Sequence, residues 1–109
     1  MSDPTAVQFE RMEWHDDAPG IRVQETTVDG SRWAMVEYGV GVGRSDWCLD
    51  GHRGFVVSGE IEYEFQDGPS PVRAHTGQAF LLPGGIAHRG RNLADAPTLL
   101  FLIDDPART

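Results

Sequence analysis

Two short segments of this chain collect side chains that can bind a metal ion. The first runs from Asp46 to His52 (DWCLDGH) and the second from Pro83 to His88 (PGGIAH). Thiolate sulfur and imidazole nitrogen are good ligands for zinc and other borderline metals, at about 2.0–2.3 Å per bond. Three protein ligands with a fourth position left open are typical of catalytic rather than structural zinc sites. The set Cys48, His52 and His88 therefore predicts a candidate metal site.

Local turn signals favour the convergence of these three side chains. Side chains alternate along a strand, so positions 46 and 48 share a face. A tight turn at Asp50-Gly51 would start the next strand at His52, opposite Cys48. A second turn at 83–85 would lead His88 into a further strand. If both hairpins lie at the mouth of one barrel, the thiolate and the two imidazoles meet there.

The spacing alone also allows structural interpretations of each residue. Cys48 is then a small buried hydrophobe, His52 a turn residue and His88 a hydrogen-bonded core histidine. Asp46 is a weaker fourth ligand, with three roles open: metal binding, a hydrogen bond to a ligand histidine, or a place on the rim. His15 lies outside both segments and is expected at the surface, as is His75.

The rest of the chain alternates short apolar runs with glycine and proline, which predicts an all-β barrel or double-sheet jelly roll. In one run, Ile61, Tyr63 and Phe65 point to one side of a half-buried strand. The last apolar run has no alternation, which predicts that it is buried on both faces or lies at a subunit boundary. Phe101 in this run is a further core candidate. The first 15 or so residues are expected to form an edge strand or an arm that crosses to a partner. Strands are expected at 21–28, 32–40, 55–57, 61–65, 72–75, 79–82 and 98–103.

Composition narrows the class of protein. The length of 109 residues suits one domain, 1–109. The one cysteine allows no intrachain disulfide, which suits the cytoplasm, and no signal-peptide or membrane-spanning pattern is found. The net charge is −8 and every basic residue is arginine, which argues against nucleic-acid and anionic-membrane partners.

The two segments resemble the two sequence motifs of the cupins. The second cupin motif, G-x5-P-x-G-x2-H-x3-N, is matched at every fixed position, by Gly77, Pro83, Gly85, His88 and Asn92. The first motif, G-x5-H-x-H-x3,4-E-x6-G, ends here at Gly59. That alignment places Asp46 and Cys48 at the two histidine positions and His52 at the glutamate position, without a glycine at the required upstream spacing.

The resemblance implies a small double-stranded β-helix (jelly-roll) barrel of the cupin type, with motif one at about 39–59 and motif two at 77–92. It also implies a metal held by Cys48, His52 and His88, with Asp46 as the weaker ligand, because all the replacements in motif one are able to bind metal. The pattern D-W-C-x3-H-x2-(aromatic)-V-x2-G is similar to that of a group of small bacterial cupins. The resemblance to small cupins, which often pair as dimers, further implies that this chain forms a homodimer.

Several metals and functions remain open from the sequence. The thiolate favours zinc, and iron, manganese and nickel are alternatives. If Asp46 binds the metal in place of Cys48, iron or manganese becomes a stronger candidate. One hypothesis is a metalloenzyme acting as an isomerase, lyase or hydrolase on a small polar molecule. Others are a non-catalytic module that binds or senses a small ligand, and a metal-free structural barrel. Fold class does not choose among them.

Overall fold

The computed structural model describes residues 3–105 and shows an almost entirely β architecture. A short 3-10 helix, Phe9–Arg11, precedes the strands. The strands are β1 His15–Ala18, β2 Ile21–Val28, β3 Ser31–Tyr38, β4 His52–Ser58, β5 Glu60–Phe65, β6 Val72–His75, β7 Ala79–Leu82, β8 His88–Asn92 and β9 Thr98–Asp104.

These strands form two antiparallel sheets that enclose one apolar core. The larger sheet has the order β1-β2-β3-β9-β4-β7, and the smaller has the order β6-β5-β8. Alternate side chains of both sheets point inward, as the period-2 pattern requires. Val36, Val56 and Leu100 of the larger sheet pack in the same buried cluster as Ile61 and Tyr63 of the smaller one. This arrangement is the expected jelly-roll barrel.

Turn chemistry explains where the strands begin and end. Strands β2, β6 and β7 have the predicted bounds. The Asp29-Gly30 turn between β2 and β3 has φ of 50° and 82°, the left-handed values that a tight hairpin needs. Strand β3 ends at Tyr38, two residues before the predicted end, because the chain turns there and Val42 N donates to Gly39 O.

The last apolar run differs from its prediction. Strand β9 does alternate: Thr98, Leu100 and Leu102 are buried, whereas the residues between them are partly exposed. Phe101 was expected in the core and instead lies on the outer face. It is covered there by other aromatic rings, with its centroid 6.0 Å from that of Phe9 and 5.9 Å from that of Trp33.

The N-terminal segment lies against the outer face of its own larger sheet. Gln24 Nε2 donates to Phe9 O at 2.8 Å and to Met12 O at 2.7 Å. The edge strand β1 begins at His15, where that segment ends, and pairs with β2. Within residues 3–105, no helix has the length and apolar character that crossing a membrane requires.

Candidate metal centre

The two sequence segments meet at one end of the barrel. Cys48 and His88 form an antiparallel bridge in which Cys48 N donates to His88 O at 2.8 Å and His88 N donates to Cys48 O at 2.9 Å. Gly85 N also donates to Leu49 O at 2.9 Å, which ties the second turn to the first segment. Ligand atoms of Cys48, His52 and His88 all lie within 4.8 Å of one another. The convergence expected from the turn signals is therefore present in the structure.

His52 is held with one ring nitrogen toward Cys48 and the other toward a carboxylate. Its Nε2 lies 3.8 Å from Cys48 Sγ, and its Nδ1 lies 2.7 Å from Asp104 Oδ1. An ionised carboxylate only accepts hydrogen bonds, so Nδ1 carries a proton. Nε2 is thus the nitrogen available to a metal, a common arrangement for ligand histidines.

His88 is the most buried member of the cluster, with 2% of its surface exposed. Its Nδ1 lies 3.3 Å from Ile86 O, and because a carbonyl only accepts, that nitrogen is the donor. Nε2 is left for the site. The ring packs between two others, with centroids 5.0 Å from His52 and 5.9 Å from Tyr63.

Asp104 is a site residue that the sequence reasoning missed. It is the last residue of β9 and lies directly opposite His52 in the β4–β9 register. Arg32 Nη1 lies 3.3 Å from the other carboxylate oxygen of Asp104. A carboxylate at the end of an apolar run was the available signal, but only the strand register shows that it faces His52.

The other sequence candidates lie around the cluster or away from it. Asp46 is exposed and lines the cavity beside the cluster without belonging to the group of converging ligand atoms. His15 and His75 are exposed, as predicted. Trp47 also lines the cavity, where the Arg89 guanidinium lies 4.2 Å from its ring centroid.

The donor set suits a tetrahedral borderline metal. Zinc bonds of about 2.3 Å to sulfur and about 2.05 Å to nitrogen place the two ligand atoms about 3.6 Å apart at the tetrahedral angle. The Cys48 Sγ to His52 Nε2 distance of 3.8 Å is close to that value. One sulfur and two nitrogens leave a fourth position open to solvent or to a ligand.

The thiol and the imidazole next to it shift each other's pKa in the metal-free protein. Contacts with the imidazole of His52 and then with that of His88 lower the pKa of Cys48 from 9.0 to about 6. Burial lowers the pKa of His52, but its contacts with Asp104 and Cys48 outweigh burial and raise it to about 9. At neutral pH Cys48 is thus a thiolate beside an imidazolium. That thiolate is the form that binds metals and attacks electrophiles.

Alkylation of the metal-free protein tests this pairing. Because the thiolate is the reacting form, the rate of Cys48 alkylation by iodoacetamide should rise with pH through an inflection near 6. In His52→Gln the inflection should move up toward 9.0, and in guanidinium-unfolded protein it should lie at about 8.5. An inflection for the folded wild type equal to that of the unfolded chain would contradict the described geometry.

Asp104→Ala tests the role of the carboxylate behind His52. Loss of the Nδ1 partner frees the ring to rotate and to change tautomer, so zinc affinity should fall by about 10- to 100-fold. Competition with a chromogenic chelator measures the change. Asp95→Ala removes an exposed carboxylate of the β8–β9 connection and is the matched control. Equal losses in the two variants would show that Asp104 acts only through overall charge.

A cavity of about 550 Å³ opens beside the cluster. Its walls combine aromatic and charged side chains, so it has the size and mixed lining of a small-molecule site. Residues on its walls include Tyr38, Arg44, Trp47, Tyr63 and Arg89. Cys48, His52 and His88 line the same cavity, so the cluster and the cavity form one continuous site.

Comparison with known proteins agrees with this architecture. The family model described as "Cupin domain" (Cupin_2) matches residues 50–104. No curated protein shows significant similarity to the chain.

Solved structures share the fold at low sequence identity. KdgF from Halomonas sp. is 23% identical with a TM-score of 0.73, and the match covers 95% of this chain and 96% of that one. An RmlC-like cupin from Shewanella frigidimarina is 19% identical with a TM-score of 0.75, covering 97% and 94% of the two chains. The cupin domain of Schizosaccharomyces pombe Cnp3 is 11% identical with a TM-score of 0.76, covering 94% and 74%.

The family match begins next to His52, includes His88 and continues to Asp104, so it spans the strands that carry most of the cluster. The chain therefore belongs to the cupin family.

Proposed function

We propose that this cupin binds one divalent metal ion, with zinc preferred, through Cys48, His52 and His88, and that the bound ion binds or acts on a small polar molecule in the adjoining cavity. The observation that carries the proposal is the convergence of the three ligand atoms within 4.8 Å. Asp46 is not part of the proposed ligand set, because it lies exposed at the rim.

The ligand chemistry supports the choice of zinc. A thiolate with two imidazoles is a soft to borderline set, which suits zinc better than magnesium, manganese or calcium. The cluster itself lacks the two-histidine, one-carboxylate triad that is typical of non-haem iron oxygenases. A thiolate beside an oxygen-activating iron would also be exposed to oxidation.

The chemistry available at such a site is Lewis acidity. When bound, a divalent ion polarises an oxygen of its ligand or lowers the pKa of bound water. The chain contributes orientation and shape: Asp104 fixes the tautomer of His52, and the tyrosine and arginine side chains on the cavity wall face the bound molecule. An isomerase, lyase or hydrolase reaction fits these parts, as does reversible binding of a small ligand.

Metal analysis of the purified protein tests the proposal. After reconstitution with Zn²⁺ and removal of free metal, we expect close to one zinc per chain, because a site of this kind binds zinc tightly enough to survive desalting. A content below about 0.1 metal per chain, after separate reconstitution with zinc, iron and manganese, would overturn the proposal.

We further propose that the protein acts as a homodimer in the cytoplasm. Strand β7 is an edge of the larger sheet, and Phe55, Val57 and Leu81 on the outer face of β4 and β7 are exposed. Contiguous apolar side chains on a sheet face are typical of contact surfaces. Size-exclusion chromatography with light scattering should give twice the chain mass of 12.0 kDa, and a mass of 12.0 kDa would contradict the dimer.

A further inference from the structure

Three hydrogen-bond donors gather on the cavity wall next to His88, around a glycine of β8. A Cβ atom at Gly90 would lie 2.8 Å from Tyr63 Cε1 and 3.2 Å from Tyr38 Oη, so both tyrosines pack directly over this backbone. Arg44 joins them, since its backbone N donates to Gly90 O at 2.9 Å. All three side chains line the cavity.

The Tyr63 hydroxyl indicates that the cavity binds a ligand. The side chain is 97% buried, because only 3% of the residue is exposed. Its hydroxyl makes no hydrogen bond with any residue in the range 3–105, yet no fully buried polar side-chain atom in that range lacks a partner. The oxygen therefore reaches the cavity, where only a bound molecule or water can pair with it. A phenolic hydroxyl carries one proton that it can donate to such a partner.

Arg44 and Tyr38 add donors to the same wall. Arg44 Nε donates to Tyr38 Oη at 3.2 Å, and Arg44 Nη2 lies 2.6 Å from Asp17 Oδ2. These contacts fix the guanidinium but leave Nη1 without a protein acceptor among the residues described. Tyr38 Oη accepts from Arg44, so its own proton remains available to a ligand. Burial raises the pKa of Tyr38, which keeps that proton in place.

The charges on the cavity wall are compatible with a bound anion. Glu25 and Asp104 are both paired with Arg32, and Asp17 is paired with Arg44. Asp46 and Asp50 are exposed at the rim, where solvent screens them. Beside Gly90 the wall therefore offers the donors of Arg44, Tyr38 and Tyr63, and the Asp17 carboxylate there is already paired with Arg44. Such donors suit the oxygens of a carboxylate, which arginine and hydroxyl groups bind well.

We propose that the cavity binds a small carboxylate-bearing molecule whose carboxylate is held by Arg44, Tyr38 and Tyr63 while a neighbouring oxygen faces the metal position. This inference rests on the proposed function, because the metal position is part of the site. Positions 88 and 90 are about 6.6 Å apart along strand β8, which suits a molecule of two to four carbons. Lactate is the probe of choice, and lactamide is its neutral counterpart of nearly the same shape.

Calorimetric titration of the zinc-loaded full chain tests whether Arg44, Tyr38 and Tyr63 hold the carboxylate. Lactate should bind saturably, and lactamide should bind at least about 10-fold more weakly, since it lacks the charge that Arg44 pairs with. Arg44→Gln should weaken lactate binding by about 10- to 100-fold and Tyr63→Phe by about fivefold, with the zinc content unchanged. Arg73→Gln is the matched control: Arg73 is exposed, also pairs with a glutamate, and lies outside the cavity.

Equal affinities for lactate and lactamide would overturn the proposal, as would lactate binding that neither Arg44→Gln nor Tyr63→Phe weakens, or no binding of lactate at all. Titration of the metal-free protein separates this result from failure of the metal site. Because the donors belong to the chain, residual lactate binding there should still depend on Arg44. Arg44-dependent lactate binding in a protein that takes up no zinc would support the proposed carboxylate site and overturn only the proposed function.

Discussion

Zinc affinity is expected to fall by about 100-fold or more when Cys48 is replaced by alanine. Zinc binding to four-ligand sites has a free energy of about 10–16 kcal/mol, so one ligand contributes about 3 kcal/mol on average. Losing that much binding free energy lowers the affinity about 100-fold. The loss should exceed this average because Cys48 is the only sulfur of the cluster and provides its charge. Its side chain is half-buried, so the substitution leaves the barrel folded.

Competition with a chromogenic chelator measures this change, with circular dichroism to verify the fold. His75→Ala is the matched control, since this histidine is exposed and lies outside the cluster. The preference for zinc over manganese should also narrow in Cys48→Ala, because the remaining nitrogens discriminate less between the two metals. Unchanged zinc affinity would remove the thiolate from the ligand set.

Asn92→Ala is expected to lower the free energy of unfolding by about 3 kcal/mol or more, because each buried partner left unpaired costs about 1–3 kcal/mol. Asn92 is 2% exposed and ties the end of β8 to the start of β9 and the end of β3. Its Nδ2 lies within 3.2 Å of the carbonyls of Tyr38, Gly39 and Ala96. Its Oδ1 accepts from Ala94 N and from Thr98 Oγ1, both at 2.8 Å.

Thermal unfolding measures the loss as a fall in Tm of about 12 °C or more, given about 4–8 °C per kcal/mol for a domain of this size. Gln66→Ala is the control: its side chain is exposed, and the change should stay within about 0.5 kcal/mol of wild type. A fall in Asn92→Ala no larger than in the control would show that backbone hydrogen bonds and packing hold these turns without the side chain.

Local sequence signals predicted most of the strands because turns and alternation are short-range features, whereas the resemblance to the cupin motifs was needed to bring His88 together with Cys48 and His52. Glycine and proline mark turns, and alternation marks half-buried strands such as β5. The spacing of the second motif has a physical basis here: Gly85 has a φ of 86°, His88 enters the cluster, and Asn92 closes the network between β8 and β9. Residues that serve the fold and the site thus share one motif.

What the sequence did not predict depends on register between distant strands. Asp104 is 52 residues from His52 and meets it only because β4 and β9 are neighbours in the larger sheet. Tyr63 was predicted to share one side of a half-buried strand with Ile61 and Phe65, but its unpaired hydroxyl follows from the packing of β3 and β5 around Gly90. Phe101 was misplaced because it lies on an apolar outer face that Phe9 and Trp33 cover. In the sequence, the apolar residues of such a face cannot be distinguished from core residues.

The most direct test of the metal centre is X-ray absorption at the zinc edge on the reconstituted protein. The described geometry predicts one sulfur at about 2.3 Å and two imidazole nitrogens at about 2.0 Å, with a fourth light ligand. Cys48→Ala should lose the sulfur shell while His75→Ala keeps it. A zinc shell made only of oxygen and nitrogen in the wild type would contradict a centre built from Cys48, His52 and His88.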